Sequence, residues 1–188
     1  MTTPAREARA NSLGRGFERR YGDARPRIDP SVWLAPGSIV VGDVEIAADS
    51  SIWYGAVIRG DVDRIRIGRR TNVQDQCVLH VETGGFPCVI GDEVTVGHRA
   101  VVHACTVRDG ALIGIGAIVL DGAEIGEEAL LGAGAVATPG TVIPDGMLAV
   151  GVPARVVRAL SPEERAGQRA HALEYVEMAR AHEAVGHP

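Results

Sequence analysis

Three of the six histidines, His80, His98 and His103, lie in one stretch from Ile58 to Val107, with Arg59-Gly60-Asp61 and Asn72-Val73-Gln74 just ahead of them. Neutral imidazole is a good ligand for zinc, iron and their neighbours. Three imidazoles leave a tetrahedral ion one open position, which marks a catalytic rather than a structural centre. Water at such a position has its pKa lowered from 15.7 to about 7, giving a nucleophile strong enough for an electrophile as small as carbon dioxide. Gln74 is a neutral amide that could hydrogen-bond the nucleophile or the product. Arg59 could orient an anion or hold subunits together. Any one histidine alone is more often a surface residue, so the case depends on whether the three converge.

The elements that must position them are written in a six-residue repeat, the first thing to look for in any chain. Aliphatic residues recur at Ile28, Leu34, Val40, Ile46, Ile52 and Ile58, again at Ile67, Val73 and Leu79, and after a loop at Ile90, Val96 and Val102. The series then runs Val107, Ile113, Val119, Ile125, Leu131, Ala137, Ile143, Ala149. Small or β-branched residues such as Ser38, Ala56, Val62, Thr71, Ala100, Thr106, Ala111 and Ala117 fall four places after many of them. A period of six is neither helical nor a simple strand alternation. It predicts an all-β solenoid, a parallel β-helix of hexapeptide repeats, with three short strands and roughly 18 residues per triangular coil. Coils stack about 4.8 Å apart. The 24 glycines and the low aromatic content suit a thin prism with tight corners.

The repeat then places the histidines. Leu79 and Val102 fall on one face, one coil apart, so His80 and His103 project outward from stacked positions. Arg59 precedes them in the same column. His98 follows Val96 by two and belongs to another face, next to the coil that carries Gln74. One chain cannot easily gather all three imidazoles, whereas a three-fold assembly could set His98 of one prism against His80 and His103 of the next. Asp61 could pair with an arginine across that interface. The loop 83–89, TGGFPCV, interrupts the repeat beside His80, so Phe86 is expected to wall the site and Glu82 to be an ordinary solvated carboxylate.

The rest of the chain sets bounds. At 188 residues it is one domain, divided here into an arginine-rich arm (1–27), the solenoid (28–160) and a C-terminal helix with its tail (161–188). Ser161, Pro162 and Glu164 form a capping box that starts a helix over 161–184. Ala166, Ala170, Leu173 and Val176 make its expected apolar stripe. The net charge of −5 argues against a nucleic-acid partner. No apolar run approaches the length of a membrane span. Cys77, Cys88 and Cys105 are odd in number with no C-x-x-C spacing, which points to packing residues in a reducing, cytoplasmic setting. Trp33 and Trp53 are expected to be packing or interface residues, and Tyr175 to pack in the core or, as the alternative, to reach the site from above.

The residues W-Y-G-A-V-I-R-G-D at 53–61, N-V-Q-D at 72–75, His80, and V-G-H-R-A-V-V-H-A-C at 96–105 together resemble the γ-class carbonic anhydrase family. The resemblance covers about residues 28–180. It implies a left-handed coil, a homotrimer, and interfacial metals held by His80 and His103 of one chain and His98 of another. It implies Zn2+ or Fe2+ as the metal and carbon dioxide and bicarbonate as the substrate pair. Arg59 and Asp61 match the family's interfacial ion pair, and Gln74 and Asn72 its active-site amides. The chain departs at Val62, where the prototype has a glutamate, and its short loop offers no equivalent of the family's proton-shuttle glutamate. Two other functions remain alternatives. One is a hexapeptide-repeat acyltransferase, with G-V-P-A-R at 151–155 as a shared terminal turn. The other is a metal-bearing scaffold or assembly protein with little catalysis.

Overall fold

The computed structural model describes residues 16–185. They form a parallel β-solenoid of about 7 turns with one C-terminal helix. The repeated aliphatics from Leu34 to Ala149 point into the prism and are almost wholly buried; only Ile28, in the first coil, is partly covered. Burial of so many branched side chains, at about 25 cal/mol per Å2 of apolar surface, is the main force holding the coils together.

Strand pairing starts before the expected boundary at residue 28. Phe17–Arg19 pairs in parallel with Ile39–Val41. The described part of the arm therefore joins the sheet, while residues 1–15 lie outside the described residues.

The corner position is the one two residues before each inward aliphatic. Ala56, Thr71, Ala100, Ala111, Ala117, Ala123, Ala129 and Ala135 occupy it as expected, buried almost completely. Two assignments change. Val62 is exposed and Thr106 half-buried, and the corners are filled instead by Ile65 and Cys105. The cause is local spacing: three extra residues separate Ile58 from Ile67, and one is missing between Val102 and Val107. Cys77 and Cys88 fill corners in the same way, and all three cysteines are buried free thiols. Burial pushes the Cys77 thiol up to about 12. The Cys105 thiol is raised by its contact with Cys88 and by burial. Both are thus kept as inert packing groups.

The extra residues form a bulge. In the long strand Val57–Ile67, Gly60 pairs with Gly42 and Ile65 with Val44, so Asp61–Arg64 stand opposite the single residue Asp43. Gly42 is needed there. It sits at φ +81°, and a Cβ would lie 2.1 Å from the Gly60 carbonyl oxygen. The loop beside His80 ends before the expected 89, because Cys88–Ile90 is a strand between Ile65–Ile67 and Thr106–Val107. Val81 still packs in the core, and residues 82–87 leave the coil.

The three outward faces differ in chemistry. On the first, Ile39, Val57, Val78, Val101, Ile118 and Val136 stack in register as an apolar ladder. On the second, the ladder begins Arg27, Glu45, Arg66 and later includes Thr106 and Glu124. Ion pairs run along it, with Arg27 on Glu45 at 3.1 Å and Arg66 on Asp43 at 2.9 Å. The third face carries Trp33, Ser51, Asn72 and Thr95, then Leu112, Leu130 and Leu148.

Helix α1, Pro162–Val185, lies along the third face over the strands at 33–34, 51–52, 72–73 and 95–96. Its capping box forms as expected: Ser161 Oγ accepts from the Glu164 N–H at 3.2 Å, and Glu164 Oε2 accepts from the Ser161 N–H at 2.8 Å. Its buried stripe is Gln168, Ala172, Tyr175, Val176 and Ala179 rather than the expected set. Of that set only Val176 is buried; Leu173 is 45% exposed. A helix lying close on a flat sheet favours alanines at the contact line, with one aromatic reaching down between them. Arg169 ties α1 to the solenoid through Glu128 at 2.7 Å and Glu93 at 2.9 Å.

Candidate metal centre

His80 and His103 are register partners on adjacent strands of the first face, and Arg59 is the register partner of His80 on the coil before. Stacking at the sheet spacing brings His80 Nδ1 to 3.1 Å from His103 Nε2. A contact of that length holds an N–H···N hydrogen bond only when one of the two facing nitrogens carries a proton. Two ligand nitrogens on a tetrahedral ion with bonds of about 2.0–2.1 Å would stand about 3.3 Å apart, so the facing pair also fits a zinc-sized ion.

Each imidazole nitrogen turned away from that gap meets a carboxylate. His80 Nε2 is 3.0 Å from Asp61 Oδ1, and His103 Nδ1 is 2.5 Å from Asp121 Oδ1. Asp61 reaches His80 from the bulge, and its other oxygen accepts from Arg59. Within one chain Arg59 and Asp61 are thus already paired. Burial raises the Asp61 carboxyl, but hydrogen bonds from Arg59 and His80 lower it more, leaving it below the usual carboxylate range.

His98 stands elsewhere. It follows the third-face strand Thr95–Val96, and its Nδ1 is 2.7 Å from Asp75 Oδ2. Among the described residues of one chain, no three His, Cys, Asp or Glu side chains gather into a group that could hold a metal ion. The pair of histidines is thus brought together by the fold, and the third is not.

Gln74 is 97% covered, at 3% exposure, and both ends of its amide are engaged. Its Oε1 accepts from the His98 backbone N–H at 3.1 Å, and its Nε2 donates to Asn72 Oδ1 at 3.1 Å. Asn72 in turn donates to Thr95 Oγ1 at 2.9 Å. This buried chain of amides fixes the backbone that carries His98. Gln74 and His98 also line an open pocket of about 270 Å3 bordered by His171 and Tyr175 of α1. Tyr175 thus packs on Trp53, its ring 5.2 Å away, and also borders the pocket beside His98. Burial, and then the Asp75 charge, raise its phenol above the usual range.

The loop lies beside His80, as expected, though with earlier bounds. Phe86 packs over Gly122, so closely that a Cβ there would meet its ring at 3.0 Å. Glu82 Oε1 accepts from the neighbouring Thr83 N–H, and the residue is exposed. Asp75 and Asp121 are the partners that sequence reasoning missed. Asp75 follows Gln74 directly. Asp121 sits in an ordinary Leu-Asp-Gly turn and carries no signal of its own.

The chain is 43% identical over 165 residues to gamma carbonic anhydrase 2, mitochondrial, of Arabidopsis thaliana, covering 85% of this chain. It spans about six-tenths of the length of that relative and of its companion, gamma carbonic anhydrase 1. It is 44% identical to a carbonic anhydrase of Geobacillus kaustophilus, across 88% of this chain and 90% of that one. A crystal structure from Bacillus cereus, described as a candidate acetyltransferase, superposes with a TM-score of 0.88 at 42% identity, covering 91% and 99% of the two chains. No protein-family model matches. With a hexapeptide solenoid, stacked histidines and identities of this size over most of its length, the chain belongs to the γ-class carbonic anhydrase family.

Proposed function

We propose that the protein is a metal-dependent carbonic anhydrase-like enzyme that hydrates carbon dioxide to bicarbonate at the interfaces of a homotrimer. The observation that carries this is the facing pair His80 Nδ1 and His103 Nε2, 3.1 Å apart, with His98 on a different face. Two ligands from one chain and His98 from a neighbouring copy would complete a three-imidazole site. Imidazoles backed by carboxylates suit Zn2+ or Fe2+.

The outward faces support a closed ring. The apolar ladder of the first face, beside His80 and His103, matches the apolar part of the third face, Leu112, Leu130 and Leu148, beyond His98. The charged second face suits solvent. A first-to-third contact is heterologous, and a rotation of 120° closes it at three copies.

When bound, the metal would act as a Lewis acid that makes water a nucleophile at neutral pH. The chain's own residues orient and exclude. Gln74 and Asn72 hold the His98 backbone in a buried amide network. Arg59 holds Asp61 against His80. Phe86 covers the turn beside His103. Val62 follows Asp61 on the bulge with 44% of its surface exposed and offers no proton acceptor. Proton removal is then the step expected to limit turnover. The buried free thiols support a reducing, cytoplasmic setting.

Stopped-flow carbon dioxide hydration on the zinc and the anaerobic iron forms, with His103→Ala as control, tests this. Activity that needs both metal and His103 supports it; a metal-loaded trimer with no rate above buffer sinks it. The description of the Bacillus cereus neighbour favours acyl transfer as a second reading. Acetyl-coenzyme A turnover that survives His98→Ala and His103→Ala would select it.

A further inference from the structure

We propose that Asp121 is the positioning residue that presents His103 to the metal, an inference that rests on the function proposed above. Val101 and Val102 pair with Ile118 and Val119, so Asp121 lies just beyond the position opposite His103 on the next coil. Its carboxylate oxygen is 2.5 Å from His103 Nδ1, and His103 Nε2 is the atom that faces His80. The backbone around it is clamped: Gly122 N–H donates to Ala104 O at 2.8 Å, and Asp121 O accepts from Gly140 N–H at 2.9 Å. Phe86 lies over Gly122.

A neutral imidazole carries one proton on either nitrogen, and only the bare nitrogen can ligate. A carboxylate fixed at Nδ1 holds the proton there and leaves the Nε2 lone pair aimed into the gap. It also locks the ring rotation and raises the basicity of the ligating nitrogen. Without Asp121 the ring would be free to put its proton on Nε2 and close the site.

The tautomer can be read in the 15N-labelled metal-free protein from long-range proton–nitrogen correlations above the imidazole titration. Wild type should carry His103 as Nδ1–H. Asp121→Asn, which keeps an acceptor oxygen, should retain that tautomer, and Asp121→Ala should move it toward Nε2–H. Zn2+ affinity, measured by competition with a chromogenic chelator, should fall about 10–100-fold in Asp121→Ala and less in Asp121→Asn. Asp121 is partly exposed, so its loss leaves no buried cavity; should the alanine variant not assemble, Asp121→Ser takes its place. A His103 that keeps Nδ1–H in the truncated variant overturns the assignment, as does a shifted tautomer with unchanged Zn2+ affinity. If wild type itself binds no Zn2+, the proposed function fails, and the tautomer alone decides the role of Asp121.

Discussion

Asp61 reaches His80 Nε2 at 3.0 Å because four residues of its strand stand opposite one residue of the strand before. A regular hexapeptide would leave the aspartate in line with the coil and away from the imidazole. The bulge is thus what turns one side of His80 toward a carboxylate and the other toward His103.

That arrangement predicts the effect of losing either stacked ligand. His80→Ala and His103→Ala should each lower Zn2+ affinity by at least about 100-fold, the upper range seen for outer-shell partners alone. Chelator competition measures it. Affinity within a few-fold of wild type would remove the pair from the metal site.

The apolar ladder predicts the assembly. Val78→Asp would place a charge among Val57, Val101 and their neighbours, where an unpaired ion is costly to bury. Light scattering should then report monomer, with metal affinity lost too. Glu124→Lys, on the charged face, should stay trimeric. Equal behaviour of the two variants would contradict the interface.

The buried amides predict a stability cost. Gln74→Leu leaves the His98 N–H and Asn72 Oδ1 without their partner, which should destabilise by roughly 1–3 kcal/mol. Denaturant unfolding of the metal-free protein reads it, and a neutral result would mean that water replaces the amide.

The helix contact separates two alanine-scale changes. Ala172→Leu overfills a fully buried position and should cost about 1–3 kcal/mol. Leu173→Ala, on the exposed side, should stay within about 0.5 kcal/mol. The reverse order in melting temperature would place the helix on its other face.

Acid should loosen the start of this helix. The Arg158 guanidinium and the Ser161 N–H hold the Glu164 carboxyl at about 2, below its ordinary 4.5. A depressed carboxylate contributes stability above its unfolded pKa, and the contribution drains away as pH falls from about 4.5 toward about 2. Glu164→Gln should flatten the pH dependence of helix melting in that window and leave it unchanged near neutrality. Circular dichroism across pH 2–5 checks this, and an unaltered profile would rule the pair out as its cause.

The solenoid and the stacked histidines are legible in the residues because a six-residue period converts sequence distance into position on a prism. Leu79 and Val102 index the column, and His80 and His103 follow. Where the period slips, the index fails: Thr106 and Val62 looked like corner residues, and Cys105 and Ile65 hold those corners. Hydrophobicity likewise nominated Leu173 for the helix contact, but the close flat sheet accepts Ala172.

The sequence by itself determined the repeat, the shared face of Arg59, His80 and His103, and the separate face of His98, because these depend on spacing alone. Only the tertiary structure decided which carboxylate meets which imidazole. Asp61 arrives through a bulge, and Asp121 through a turn one coil further on. Both are contacts between residues about 18 apart, and no local pattern distinguishes an aspartate that points at a neighbouring coil from one that points at water.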